Sequence, residues 1–134
     1  MRYLALDLGD RRIGVAVSDA WGIIARPLEI FERTSRDHDA DHILALIKHH
    51  KVEGLVVGLP INMDGHEGDQ AAWVRDYAAE LSSKVPVPVV FWDERLSTDR
   101  AKEILRAQGK TPEKGHLDAL AAAVILQSYL DAHA

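Results

Sequence analysis

Two apolar, strand-forming runs, Tyr3–Leu8 and Ile13–Ser18, are separated by only a few residues in the stretch LALDLGDRRIGVAVSD. Gly9 and Asp10 mark a turn between them. A connection this short permits an antiparallel hairpin and nothing else, because parallel strands need a crossover of about a dozen residues or more. The first run also carries Asp7, and an unpaired carboxylate in a buried strand costs several kcal/mol. Asp7 therefore has a partner or a chemical task.

A third run, Ala25–Phe31, follows the turn DAWG and extends the hairpin into an antiparallel meander. Helical spacing then appears through Ile43, Leu44, Leu46 and Ile47, predicting a helix over Asp37–His50. GLVVGLP, Gly54–Pro60, reads as a strand closed by its proline, and Gln70–Lys84 as a helix with Trp73, Val74, Tyr77 and Leu81 on one face. Val87–Phe91 is the last expected strand. A helix opens at Ser97 or Thr98 and stops at Gly109 and Pro112, and a final one runs from about His116 to Asp131, presenting Leu117, Leu120, Ala121, Val124 and Ile125. Strands alternating with helices in the second half imply parallel pairing. The expected architecture is one α/β domain over residues 1–134 with a mixed five-stranded sheet flanked by helices.

Several classes are set aside by composition. The chain has no cysteine, which excludes disulfides and thiolate metal sites and suits an intracellular location. No secretory leader is expected at the start, and LAAAVIL, Leu120–Leu126, is too short to span a bilayer. A net charge of −5 argues against a general nucleic-acid binder, but the acids are unevenly placed. Residues 37–93 hold four basic against ten acidic side chains, whereas residues 1–36 hold six against five and residues 94–116 six against four.

Three carboxylates stand where apolar elements end: Asp7 on the first strand, Glu94 just past the last, and Asp118 in the first turn of the final helix. Ligands of open α/β sheets gather at the carboxyl ends of strands. Clustered acids there suit Mg²⁺ or Mn²⁺, which take oxygen ligands. Each acid also has a plainer reading. Asp7-x-Gly9 can be a turn cap, Glu94 can pair with Arg95 in a surface turn, and Asp118 can simply favour its helix dipole. His38 and His42 read as part of a solvated first turn, and Trp73 and Tyr77 as core.

A strand with an Asp-x-Gly turn and a following hairpin resembles two superfamilies, the sugar-kinase/actin-like ATPases and the RNase H-like nucleases. The ATPases enclose nucleotide between two such domains, which a chain of this length does not provide alone. The resemblance becomes specific in four ordered blocks: DLGDRRIGVAVSD (Asp7–Asp19), GLPINMDGHEG (Gly58–Gly68), DERLST (Asp93–Thr98) and LDALAAAVILQSYL (Leu117–Leu130). Together they are similar to the YqgF family, the RuvX-like proteins described as Holliday junction resolvases or pre-16S rRNA nucleases.

That resemblance implies an RNase H-like fold, a cytoplasmic setting and a metal-dependent nuclease whose acidic set falls on Asp7, Glu94 and Asp118. One or two Mg²⁺ or Mn²⁺ ions are expected, with Arg11, Arg12 and Arg95 gripping phosphate and Asn62 shaping the substrate groove. Lys110 and Lys114 are further phosphate candidates, offset by Glu113. The expected substrate is pre-16S rRNA. The alternatives are branched DNA, for which a junction resolvase would be a homodimer, and a catalytically silent nucleic-acid-binding module. Two departures are visible. The strand VVGLP offers no acid where many RNase H-like nucleases carry one, so Glu94 must reach from one strand further on. The loop before the final helix is also less basic than in most of the family.

Overall fold

The computed structural model describes residues 1–97, 99–107 and 117–134, with backbone alone at 100, 104, 105, 117 and 118. Strands β1 (Tyr3–Leu8), β2 (Arg12–Ser18) and β3 (Ala25–Glu32) form the expected meander. Helix α1 (Arg36–His50) crosses to β4 (Gly54–Leu59), which pairs parallel with β1. Helix α2 (Asp69–Ser82) then leads to β5 (Val89–Asp93), parallel to β4. The sheet order is β3-β2-β1-β4-β5. A 3-10 turn, Glu94–Leu96, precedes helices α3 (Asp99–Ala107) and α4 (Leu117–Ala132). Among the described residues no helix is long and apolar enough to cross a membrane.

Alternation along the strands sorts the core into two layers. Leu4, Leu6, Leu8, Val15, Val17, Leu55 and Val57 meet α1 and α2 on one face. Each fully buried leucine there contributes about 1.5–3 kcal/mol of apolar transfer. The opposite face is built of smaller residues, Ala5, Ala16 and Val56, against Ala122, Ala123 and Leu126 of α4 and Ala101 of α3. Small side chains on both partners let the helix lie close to the sheet. Gln127, fully buried in this layer, accepts a hydrogen bond from the Ala25 N–H at 2.9 Å and donates to the Ile23 carbonyl at 2.9 Å. That clamp fixes the latter half of α4 against the beginning of β3, so its first turn lies toward the opposite end of the sheet, where β1 terminates.

Three details differ from the sequence reading, and a fourth lies outside the described residues. β5 is displaced by two residues, since Pro88 cannot donate to a ladder and Asp93 instead ends the strand by capping the 3-10 turn. Helix α4 is covered nearly all round: Ala119, Ala122, Ala123, Leu126, Gln127 and Leu130 are buried, while Leu120 and Ala121 are only half-buried. The stretch Ala119–Leu126, apolar throughout, has no polar side from which to read its orientation. Asp39 is not solvated but 2% exposed, accepting from the Thr34 N–H at 3.0 Å and the Tyr77 hydroxyl at 2.9 Å. Helix α3 is described from Asp99; the expected starting residue Thr98 and the stop signals Gly109 and Pro112 lie outside the described residues, as does His116. His38 and His42 are separately engaged, with the Thr34 hydroxyl at 2.9 Å and Glu29 at 2.7 Å, and Tyr77 is core as expected.

Candidate active site

Asp7 follows Ala5 on the alternating pattern of β1 and so belongs to the α4 face of the sheet. In register it faces Gly14 of β2. On its other side, Leu6 pairs with Val57 of β4, and one further step brings Asp7 level with Gly58. Glycine on both sides leaves the aspartate without flanking side chains on its own sheet.

Glu94 fills the space on the β4 side. It opens the 3-10 turn at the end of β5, and Gly58 pairs with Trp92 two residues earlier. A Cβ placed on Gly58 would lie 2.8 Å from Glu94 Oε1 and 2.7 Å from Ile125 Cδ1. Any larger residue on β4 would therefore block the glutamate. The acid that β4 lacks is thus supplied across it, from the neighbouring strand. Burial first, then the charges of Asp7 and Asp93, push the Glu94 carboxyl up to about 7. Mutual repulsion between Glu94 and Asp7 is the mark of two carboxylates converging on one site.

The turn that carries Glu94 is anchored from below. Ser128 of α4 donates to the Leu96 carbonyl at 2.6 Å and accepts from Trp92 Nε1 at 3.1 Å. Ser128 itself is 5% exposed, and both of its bonds are part-buried. Position 118 lies on the same helix row as Ala122 and Ile125, one turn before the first and two before the second, and Ile125 is the residue that abuts Gly58. The backbone of α4 therefore brings position 118 to the end of the sheet that bears Asp7. The Asp118 side chain lies outside the described residues, as do Lys110 and Lys114.

The other expected residues divide. Arg95 does not pair with Glu94; it makes a bidentate bond to Asp93, with Nη2 to Oδ2 at 2.8 Å and Nε to Oδ1 at 3.2 Å, which draws the Asp93 carboxyl down. Its other amino group points to the Asn62 carbonyl at 3.5 Å, so Arg95 and Asn62 do come together. Asn62 is exposed in a loop closed by Gly65 at φ 88, and it contributes its backbone there. Arg11 and Arg12 are exposed at the β1–β2 turn, on the same sheet end as Asp7, with no carboxylate partner among the described residues.

Two supporting residues escape a reading of the sequence. Arg33 donates to the Gly9 carbonyl at 3.1 Å and the Asp10 carbonyl at 2.6 Å, and its guanidinium lies 4.4 Å from the Trp73 ring centroid. It ties the turn after Asp7 to α2. Ser128 is the other. A polar pair, Gln127 and Ser128, interrupting an apolar helix was the available signal.

A mixed sheet of order β3-β2-β1-β4-β5, an antiparallel meander followed by two parallel strands with helices on both faces, defines the RNase H-like class of fold. Solved structures agree. RuvC of T. thermophilus, in complex with a Holliday junction substrate, superposes with a TM-score of 0.67 at 17% identity, covering 99% of this chain and 95% of that one. The fowlpox virus Holliday junction resolvase gives 0.57 at 10% identity over 98% of this chain and 99% of its own. This chain belongs to the RuvX family, described as Holliday junction resolvase, whose model matches residues 1–132. It is 48% identical over 133 residues to a protein of Anaeromyxobacter sp. (strain Fw109-5) that bears the name pre-16S rRNA nuclease, covering 98% of this chain and 97% of the relative. A protein of the same name from Halalkalibacterium halodurans is 44% identical over 135 residues, covering 98% and 96%.

Proposed function

We propose that this chain is a divalent-metal-dependent endonuclease that hydrolyses phosphodiester bonds in structured RNA, with precursor 16S rRNA as substrate. The observation that carries this reading is Glu94 reaching over Gly58 into the field of Asp7. Two carboxylates this close, one of them raised by the charge of the other, form an all-oxygen donor set suited to Mg²⁺ or Mn²⁺. Asp7 and Glu94 would hold the ion, with Asp118 as the third ligand. Bound there, such an ion lowers the pKa of a coordinated water and stabilises the charge that develops on phosphate.

The chain's own residues do the rest. Asp7, on a strand with neighbours on both sides, and Glu94, on the turn that Ser128 anchors, would hold the ion at the strand ends. Arg11 and Arg12, free of acidic partners among the described residues, meet phosphate oxygens at the mouth. Arg95 exchanges Asp93 for phosphate or orders the Asn62 loop beside it. These contacts position a backbone without reading its sequence. The cytoplasm is the setting in which that substrate is met.

The RuvX family description and the RuvC-like fold favour a second reading, resolution of four-way DNA junctions by a homodimer. One experiment separates the two. The purified protein and Asp7→Asn are given Mg²⁺ or Mn²⁺ with labelled precursor 16S RNA and a labelled four-way junction in parallel. Metal-dependent cleavage of the RNA at a defined site, absent in Asp7→Asn, supports the first reading. Symmetric cleavage of the junction supports the second, and equal cutting by both proteins removes the nuclease reading altogether.

A further inference from the structure

Most exposed cations for which an ion pair is described sit beside acids. Arg36 meets Asp76 and Glu80, Arg75 meets Glu67, Lys84 meets Asp37 and Arg95 meets Asp93. Arg11 and Arg12 at the active-site end stand outside such pairs among the described residues, and so does a larger group at the opposite end of the sheet. There the last turn of α1, the start of β1 and the start of β3 bring together Arg2, Arg26, Lys48, His49, His50 and Lys51. Arg2 donates to the His50 carbonyl at 3.1 Å, and its charge is met by no carboxylate among the described residues. Arg26, Lys48 and Lys51 are exposed and equally without an acidic partner there. Of the nearby acids, Glu29 is taken up by His42 at 2.7 Å, and Glu53 forms no ion pair among the described residues.

Burial, followed by the positive charges of His49, Arg26 and Arg2, holds the His50 imidazole below its ordinary range. These groups are thus close enough to repel one another. A helix carboxyl end accommodates one or two cations, but it does not call for the charges that β1 and β3 add. On a chain of net charge −5, such a concentration marks a surface for a polyanion.

Strand β3 connects this surface to the active site. Arg26 pairs with Val17 near one end of β3, and Glu32 pairs with Arg12 at the other. The steps from Arg26 to Glu32 span about 20 Å at ~3.3 Å per residue. That is about six steps of a B-form DNA duplex at ~3.4 Å each, and about seven of the more compact A-form RNA duplex. Because β3 is an edge strand, nothing else in the sheet lies outside it.

We propose that Arg2, Arg26, Lys48 and Lys51 form a second phosphate-binding surface, which holds the duplex arm of the nucleic-acid substrate as it runs along the β3 edge away from the cleaved bond. The proposal rests on the nuclease reading above for the location of that bond.

The test measures binding in an Asp7→Asn background, where turnover does not interfere. Two fluorescent RNA hairpins are compared, one with a duplex arm too short to reach Arg26 and one extending about 12 base pairs past the cleavage site, well beyond the ~20 Å span. Charge reversal by Arg26→Glu with Lys48→Glu is expected to weaken the long hairpin about tenfold or more and to reduce its salt dependence by about two released ions. The short hairpin keeps its affinity. The neutral pair Arg26→Gln with Lys48→Gln gives an intermediate loss on the long hairpin only. Unchanged affinity for the long hairpin overturns the proposal, and so does an equal loss on both, which would reflect the overall field of the protein. Cleavage by the otherwise unmodified chain is assayed separately. Length-dependent binding without any cleavage would defeat the nuclease reading while leaving the surface in place.

Discussion

The Cα of Gly58 lies directly beneath the Glu94 side chain, so that a Cβ there would come within 2.8 Å of Oε1. Gly58→Ala is therefore expected to push the glutamate away from Asp7 rather than to disturb the strand. Displacement of a reacting group by about 1 Å costs on the order of 10²-fold in rate, while overpacking against Ile125 costs about 1–3 kcal/mol of stability. Single-turnover cleavage and urea denaturation on the same preparation check the two parts.

Glu94 also predicts how stability responds to pH. Burial and the neighbouring carboxylates hold its carboxyl at about 7 in the folded chain, against an ordinary value of 4.5. The folded chain thus holds this proton after the unfolded chain has lost it. Stability falls as pH rises from 4.5 to about 7, by no more than about 3 kcal/mol once partial exposure is discounted. Denaturation at pH 5 and pH 8 is expected to show the decline without divalent cation and its recovery with Mg²⁺. In Glu94→Gln the slope flattens, and Mg²⁺ restores little.

Ser128→Ala removes the donor to the Leu96 carbonyl and the acceptor for Trp92 Nε1. Two part-buried polar groups then lose this partner, for an expected loss of about 1–3 kcal/mol in all. Because the same bonds hold the turn carrying Glu94, kcat is expected to fall with little change in KM. Ser128→Thr, which keeps the hydroxyl, restores most of the rate.

Tyr77 provides the contrast. Burial and the bond to Asp39 raise its hydroxyl above the ordinary tyrosine range, and the pair joins α1 to α2 far from Glu94. Tyr77→Phe takes one donor from a carboxylate that is 2% exposed. A loss of about 1–3 kcal/mol in urea melts is expected, with kcat unaltered.

The hairpin at the start of the chain was legible because its two strands and short turn admit one pairing. Asp7 was legible too, because a carboxylate in an apolar strand demands an explanation. The reach of Glu94 could be posed as a necessity, since VVGLP has no acid, but not solved. Its solution is the missing side chain of Gly58, which acquires meaning only when β4 lies between β1 and β5. The buried face of α4 was legible only in part, with Val124 and Ile125 buried as expected and Leu120 and Ala121 half-buried, for the opposite reason. Alanines on every side provide no contrast, and orientation comes from Gln127 and Ser128, whose partners are about 100 and about 30 residues away in sequence. The burial of Asp39 has no local sign, because the Tyr77 hydroxyl that satisfies it belongs to another helix. Arg33 gave no sign at all, as its partners are carbonyls and a ring rather than an acid.

The close seating of α4 on the alanine face of the sheet gives the helix the character of a lever. It is held at one end by Gln127, braced near its middle by Ile125 against Gly58, and delivers position 118 at the other end. One extra methylene at Ala5, Ala16, Ala122 or Ala123 would tilt that lever and shift residues that do chemistry, though none of the four touches substrate. A deep mutational map of activity would therefore show a ridge of intolerance running the length of α4, far longer than the reacting centre it serves.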